Sequence, residues 1–183
     1  YTPPHDKLQA MVTLMNKAEE KGNKIVAITD DAYFGLVYEE GVAKESIFAP
    51  LAGLHKNILG VKVDGATKED YVWGFRTGFI TYGIKGGDAG LYSALESKTA
   101  GAIRGNISNA ANISQSLLYA TYNSDEYALQ KQAKYQTMQN RYDAVKNTLK
   151  DKKYEKYFKA LPFNSGYFMC IQLADGLSGE DVR

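Results

Sequence analysis

The chain has 183 residues, 44% of them apolar and 23% charged, with a formal charge of +1. That is enough to bury the core of one full domain, or of one domain plus part of another, and the near balance of 22 basic and 21 acidic residues sets up no sequence-wide field for nucleic acid or a membrane surface. One cysteine, Cys170, excludes an internal disulfide, and no apolar run approaches the roughly 18 residues of a membrane span, so a reducing cytoplasm is the expected setting.

Leu8, Met11, Val12 and Met15 recur at helical spacing and predict a helix. Pro3 or Pro4 suits its first turn, where no N–H donor is needed, and Gly22-Asn23 marks its end. Lys24–Thr29 is short and β-branched, which predicts a buried strand with Asp30 at its carboxyl end. Ile58–Val63, closed by Asp64-Gly65, reads the same way, and Phe75–Tyr82 is a third strand ending in the turn 83–87. Asp88 to Arg104 and Ser108 to Tyr122 predict helices. One long helix lies within Asp125–Leu161, where Tyr135, Met138, Tyr142, Val145 and Leu149 form an apolar side. Asn164-Ser-Gly166 then turns into a further strand, Tyr167–Leu173.

Alternating helices and apolar strands predict an α/β layer structure: part of a mostly parallel sheet with flanking helices, followed by a long helix and the start of a small α+β domain. The boundary is expected within Ala120–Asp125, separating residues 1–120 from 121–183. Ser178 with Asp181 three residues on is an acidic variant of a capping box, the first turn of a helix with nothing to continue into. With no methionine at Tyr1, this ending suggests a piece of a longer protein.

Ligands of open α/β sheets bind outside the carboxyl ends of the strands, where this chain has Asp30 and Tyr33 in D-x-A-Y-x-G, then Thr67-Lys68, then Arg76 in G-x-R-x-G. Singly these are ordinary: a turn-forming acid, a solvated lysine, an arginine paired with a carboxylate. Other signals are weaker. Gly83, Gly86, Gly87 and Gly90 fit no phosphate-loop spacing, and His5, His55 and Cys170 lack metal-ligand spacing. Asp31 reads as a solvated second acid. Lys150, Lys152, Lys153, Lys156 and Lys159 read as a basic helix face whose stems cover Tyr154, Tyr157 and Phe158.

In combination, D-x-A-Y-x-G, Thr67-Lys68 thirty-eight residues after Asp30, and Arg76 eight residues later resemble the class I/II aminotransferases, pyridoxal-phosphate-dependent enzymes of fold type I. Tyr1-Thr-Pro resembles the residues just after that family's Asn-Pro-x-Gly motif, and Gly166-Tyr-Phe the start of a strand in its small domain. The resemblance implies that residues 1–120 are the second half of the cofactor-binding large domain and that the family's stacking aromatic, phosphate-binding turn and α-carboxylate arginine lie outside this chain. It implies pyridoxal 5'-phosphate as cofactor, Lys68 as the catalytic Schiff-base lysine, Asp30 as partner of the pyridine nitrogen, Tyr33 as partner of the ring's phenolic oxygen, and Arg76 as the phosphate clamp with Thr67 beside it. It further implies amino acid and 2-keto acid substrates and a homodimer. Arg104, followed by Ser108-Asn109, resembles the arginine that reaches a dicarboxylate substrate across the dimer interface; a helix-terminal arginine balancing the dipole is the plain alternative. One departure is Gly65, three residues before Lys68, where many members carry serine. A lyase or decarboxylase on the same scaffold, or a non-catalytic α/β domain, are the competing functions.

Overall fold

A computed structural model describes residues 2–183; Tyr1, which opens the Tyr-Thr-Pro stretch, lies outside the described residues. The chain divides into two units, one of Pro3–Gly35 with Gly41–Ser124, the other of Thr2, Leu36–Glu40 and Asp125–Arg183.

The first unit is built on three strands, β1 (Ile25–Asp30), β2 (Ile58–Gly65) and β3 (Gly78–Gly83), in that spatial order. β1 and β2 run parallel, with Asp30 level with Val63; β3 returns antiparallel, with Gly65 opposite Gly78. The parallel pair needs a crossover, and α1 (His5–Glu20) together with the short α2 (Phe48–Ala52) covers one face of the sheet. Ala27, Leu51 and Ile58 form its buried centre, with Val12, Met15, Ile25, Ile47 and Leu54 packed around them. Burying Leu51 and Ile58 contributes roughly 1.5–3 kcal/mol each.

Close backbone approach explains two glycines of that face. A side chain at Gly83 would place its Cβ 2.6 Å from the Ala52 Cβ, and one at Gly60 would stand 3.4 Å from Phe48. α2 therefore lies directly on bare strand backbone. Sequence periodicity missed it, because five residues with Pro50 among them are too short to show a period; its signal is Ser46, whose Oγ accepts from the Phe48 N–H at 3.0 Å.

The helical face of α1 is rotated from the expected stripe. Leu8, Val12 and Met15 turn inward, whereas Met11 is exposed. β1 is also not the fully buried strand its composition suggested. Ala27 points into the core, while Val26 and Ile28 on the opposite face are 62% and 69% exposed. On that second face α4 (Ala89–Asn106) meets β3, where the Tyr82 and Thr99 hydroxyls lie 2.5 Å apart. Asp88 caps α4 by accepting from the Leu91 N–H at 2.8 Å. α3 (Ala66–Glu69) follows β2 directly, and α5 (Asn112–Tyr122) secures it through the Tyr122 hydroxyl, which donates to Asp70 at 2.7 Å.

The second unit centres on α6 (Tyr127–Thr148) and the strap 36–40. Tyr38 packs its ring against Tyr135 and Tyr142, with centroids 5.9 and 5.1 Å apart. Tyr135 donates to the Val37 carbonyl at 2.6 Å, and Gln139 donates to the Tyr38 carbonyl at 3.2 Å. The inward side of α6 carries Tyr135, Met138, Tyr142 and Leu149 as expected, but Val145 is exposed and Lys146 takes the inward place. Past residue 148 the expected helix gives way to a 3-10 turn, Lys152–Tyr154, and to β4 (Phe158–Ala160), antiparallel to β5 (Ile171–Leu173). The lysines at 150–159 therefore do not share one helix face; Lys153 pairs with Asp151 at 2.8 Å, and Lys156 stands over the Tyr157 ring. α7 (Gly179–Val182) forms with Ser178 as its cap, accepting from the Asp181 N–H at 3.2 Å.

Glu39 fastens the strap. Lys146 Nζ donates to its carboxylate at 2.6 Å and the Tyr142 hydroxyl donates to the same oxygen. Hydrogen bonding from Lys146, and next from Tyr142, holds the Glu39 carboxyl below its ordinary range, and the same contact with Glu39 raises Lys146. A depressed carboxylate stabilises the fold above its unfolded value, near pH 4.5, and that stability is lost as pH falls through the folded value. The Glu39 side chain is 37% exposed, so solvent screening limits the pair to less than about 1 kcal/mol. Melting temperature between pH 6 and pH 3 should therefore fall slightly further for the native protein than for Glu39→Gln; parallel curves would remove Glu39 from this role.

Candidate active site

Beyond the carboxyl end of β2 lies a cleft of about 180 Å³, lined by Ala32, Val63, Asp64, Gly65, Thr67, Lys68, Arg76, Thr77 and Gly78. Three elements place its cations. Lys68 sits on the single turn of α3, immediately after β2. Arg76 closes a 3-10 turn, Trp73–Phe75, and does not stand on the third strand, which begins only at Gly78. Phe75 and Arg76, expected at the start of the third strand, instead close this turn. Arg76 itself is left-handed, with φ 52°, as is Tyr71 at 60°, so the segment joining the two cations contains two non-glycine residues in a costly region.

The backbone of the cleft is drawn tight at Gly65. A Cβ there would meet the Thr77 carbonyl oxygen at 2.7 Å and the Gly78 Cα at 2.8 Å, both backbone atoms that cannot swing aside. This accounts for glycine where serine was the expected residue: β2 and β3 approach too closely for any side chain. Thr67 and Thr77 line the cleft.

Tyr33 joins these residues, since Lys68 Nζ stands 5.3 Å from the centre of its ring. Asp30 is at the end of the neighbouring strand, exposed, with Oδ1 accepting from the N–H of Ala32 at 3.1 Å. Tyr33, Thr67, Lys68 and Arg76 are thus brought together, with Asp30 one turn away through Ala32. Arg104 is not among the residues of the cleft. It lies exposed in the last turn of α4 and donates to Ser108 Oγ at 2.7 Å.

The sequence matches the family described as Aminotransferase class I and II over residues 2–178. The chain belongs to that family. Among solved structures, an aminotransferase from Anaerococcus prevotii is similar at a TM-score of 0.72 and 20% identity, over 92% of this chain and 40% of that one. A Thermus thermophilus aspartate aminotransferase tetra mutant complexed with tryptophan is similar at 0.61 and 20% identity, over 92% and 38%. The chain spans about two fifths of the length of those structures and shares their fold. No functionally curated protein matches it.

Two acids were not legible as parts of this region. Asp31 is half-buried rather than solvated; its N–H donates to the Val63 carbonyl at 2.8 Å, which extends the β1–β2 ladder, and its Oδ2 is buried without a hydrogen-bond partner. Asp64 lines the cleft with one oxygen paired to Lys62 and Oδ1 buried and unpartnered. No local motif announces either acid, because each is turned inward by its position at the meeting of strands.

Proposed function

We propose that this chain contributes the cofactor-holding lysine of a pyridoxal-phosphate-dependent aminotransferase, which moves an amino group between an amino acid and a 2-keto acid. The observation that carries this is the cleft at the end of β2, where Lys68 and Arg76 converge with Thr67 while Tyr33 faces the lysine amine. The donor set fits the group: an amine for a carbonyl carbon, and a guanidinium with hydroxyls for a phosphate. Lys62 answers the charge of Asp64, and Arg76 lines the same cleft.

Bound pyridoxal phosphate supplies a reactive carbonyl carbon and an electron-withdrawing ring. Lys68 Nζ would hold the cofactor and would accept the proton of the substrate α-carbon. Asp30 would face the pyridine nitrogen and favour its protonated form, and Tyr33 would donate to the phenolic oxygen. Arg76 and Thr67 would hold the phosphate end. In this reading Pro3–Gly35 with Gly41–Ser124 is the second half of the large domain, close to the 1–120 division expected from sequence. Adding pyridoxal phosphate, reducing with borohydride and mapping the adduct tests the reading: a single adduct on Lys68 supports it, and a scatter over surface lysines would sink it.

Substrate class and assembly belong to the same proposal. Arg104 would serve an aspartate-like substrate from across a homodimer interface, and the exposed Ile103 and Ile107 beside it in the chain would add apolar surface to such an interface. In the whole enzyme, Arg104→Ala should then lower kcat/KM for a dicarboxylic substrate by about 10²-fold or more, and much less for alanine. Equal losses on both substrates would refute that role.

A further inference from the structure

Resting on the cofactor reading above, we propose that Lys62 is a positioning residue for that site, holding in place the turn that presents Asp30 and Tyr33. Lys62 shares its face of β2 with Ile58 and Gly60, the face that meets the core, and its side chain is only 18% exposed. A lysine so placed needs partners, and it has an acid and a ring. Asp64, two residues on and on the same face, pairs with Nζ, and Nζ stands 4.7 Å from the centre of the Phe34 ring. Asp31 brings a second carboxylate to this end of the sheet, since its N–H meets the Val63 carbonyl one step past the Asp30–Val63 pair.

The segment from Asp30 to Phe34 is closed on itself. The Phe34 N–H donates to the Asp31 carbonyl at 2.9 Å, and the Ala32 N–H donates to Asp30 Oδ1 at 3.1 Å. Its ties to β2 and α3 are the Asp31 N–H to the Val63 carbonyl at 2.8 Å and two consecutive rings, each against a lysine: Tyr33 against Lys68 and Phe34 against Lys62. Neighbouring residues of one closed turn do not shift independently, so the hold of Lys62 on the Phe34 ring also sets where Tyr33 stands beside the Lys68 amine. Asp64 keeps the ammonium at that ring. An ion pair drawn this far out of water gains little net stability, because desolvation offsets the attraction, and its effect falls on geometry instead.

The test compares the native protein with Lys62→Gln, Lys62→Arg and the double variant Lys62→Gln with Asp64→Asn, which keeps the native net charge and leaves no acid stranded at residue 64. Amide hydrogen exchange is followed by NMR without cofactor at the Phe34 N–H, inside the turn, and at the Ile25 N–H, which donates to the Asn57 carbonyl at the far end of β1. Each protein is then titrated with pyridoxal phosphate, reading the borohydride-reduced adduct on Lys68 by mass spectrometry. Lys62→Gln should speed exchange at Phe34 and raise the half-saturating concentration of pyridoxal phosphate, each about fivefold, with Ile25 unchanged. Lys62→Arg should restore both, and the double variant should stay loose because its ring still lacks a cation. Native exchange at Phe34 in Lys62→Gln, an equal rise at Ile25, recovery in the double variant, or a loosened turn with an unchanged titration would each overturn the assignment. The two readings fail separately: a turn loosened in Lys62→Gln with no Lys68 adduct in any protein removes the cofactor and leaves Lys62 holding the turn, whereas a Lys68 adduct alike in all four proteins keeps the cofactor and removes Lys62.

Discussion

Lys68→Ala should remove the site-specific adduct altogether and lower amino transfer in the whole enzyme by at least about 10³-fold. The size follows from two roles falling on one atom. Nζ is proposed both to hold the cofactor and to carry the proton of the substrate α-carbon, and alanine offers neither. Lys68→Arg separates charge from chemistry: it retains a cation that can face the Tyr33 ring, where Nζ now stands at 5.3 Å, but a guanidinium stays protonated and forms no comparable covalent link. Both variants should fail in the adduct assay, while Lys68→Arg melts close to the native protein, because α3 keeps its Asp70 to Tyr122 tie. Amino transfer within tenfold of native in either variant would remove Lys68 from the centre of the reaction.

Much of this site was legible because its parts are local. Asp30, Tyr33, Lys68 and Arg76 lie in short patterns whose order survives without knowledge of the fold, and the strands that carry Asp30 and precede Lys68 announce themselves by β-branched runs. What was not legible depends on distant backbones meeting. The close approach of β2 and β3 decides both that residue 65 is glycine and that Thr77 lines the cleft, and no periodicity encodes a 2.7 Å approach between residues twelve apart in the chain. The same holds for the buried oxygens of Asp31, which read as a solvated acid, and of Asp64, which read as the close of a strand. Element type was clearest where the repeat is long, as in α1 and α6. It failed where length runs out, at the five residues of α2, and where aromatic composition outweighed geometry, at the 3-10 turn before Arg76.

Asn164→Ala should destabilise the second unit by about 2–4 kcal/mol, the largest stability effect expected of any polar residue described. Asn164 is 2% exposed, and its side chain makes the two bonds a neighbouring strand would make: Oδ1 accepts from the Thr2 N–H and Nδ2 donates to the Thr2 carbonyl, each at 2.8 Å. Its own carbonyl accepts from the Tyr38 N–H at 2.9 Å, and the Gly166 N–H next along donates to the Leu36 carbonyl at 2.9 Å, so the turn at 164–166 gathers both Thr2 and the strap around α6. Alanine leaves the backbone bonds in place but strips the partners from both Thr2 groups, and part-buried backbone groups without partners cost far more than the net worth of the bonds. Asn164→Asp sharpens the test. It restores the acceptor for the Thr2 N–H but sets a carboxylate against the Thr2 carbonyl, so at neutral pH it should be no better than alanine, and it should recover stability as the pH is lowered and the acid becomes a donor. Denaturant unfolding of the three proteins at pH 7 and pH 4 decides it: Asn164→Ala within about 0.5 kcal/mol of native would show that Thr2 is not held by this side chain.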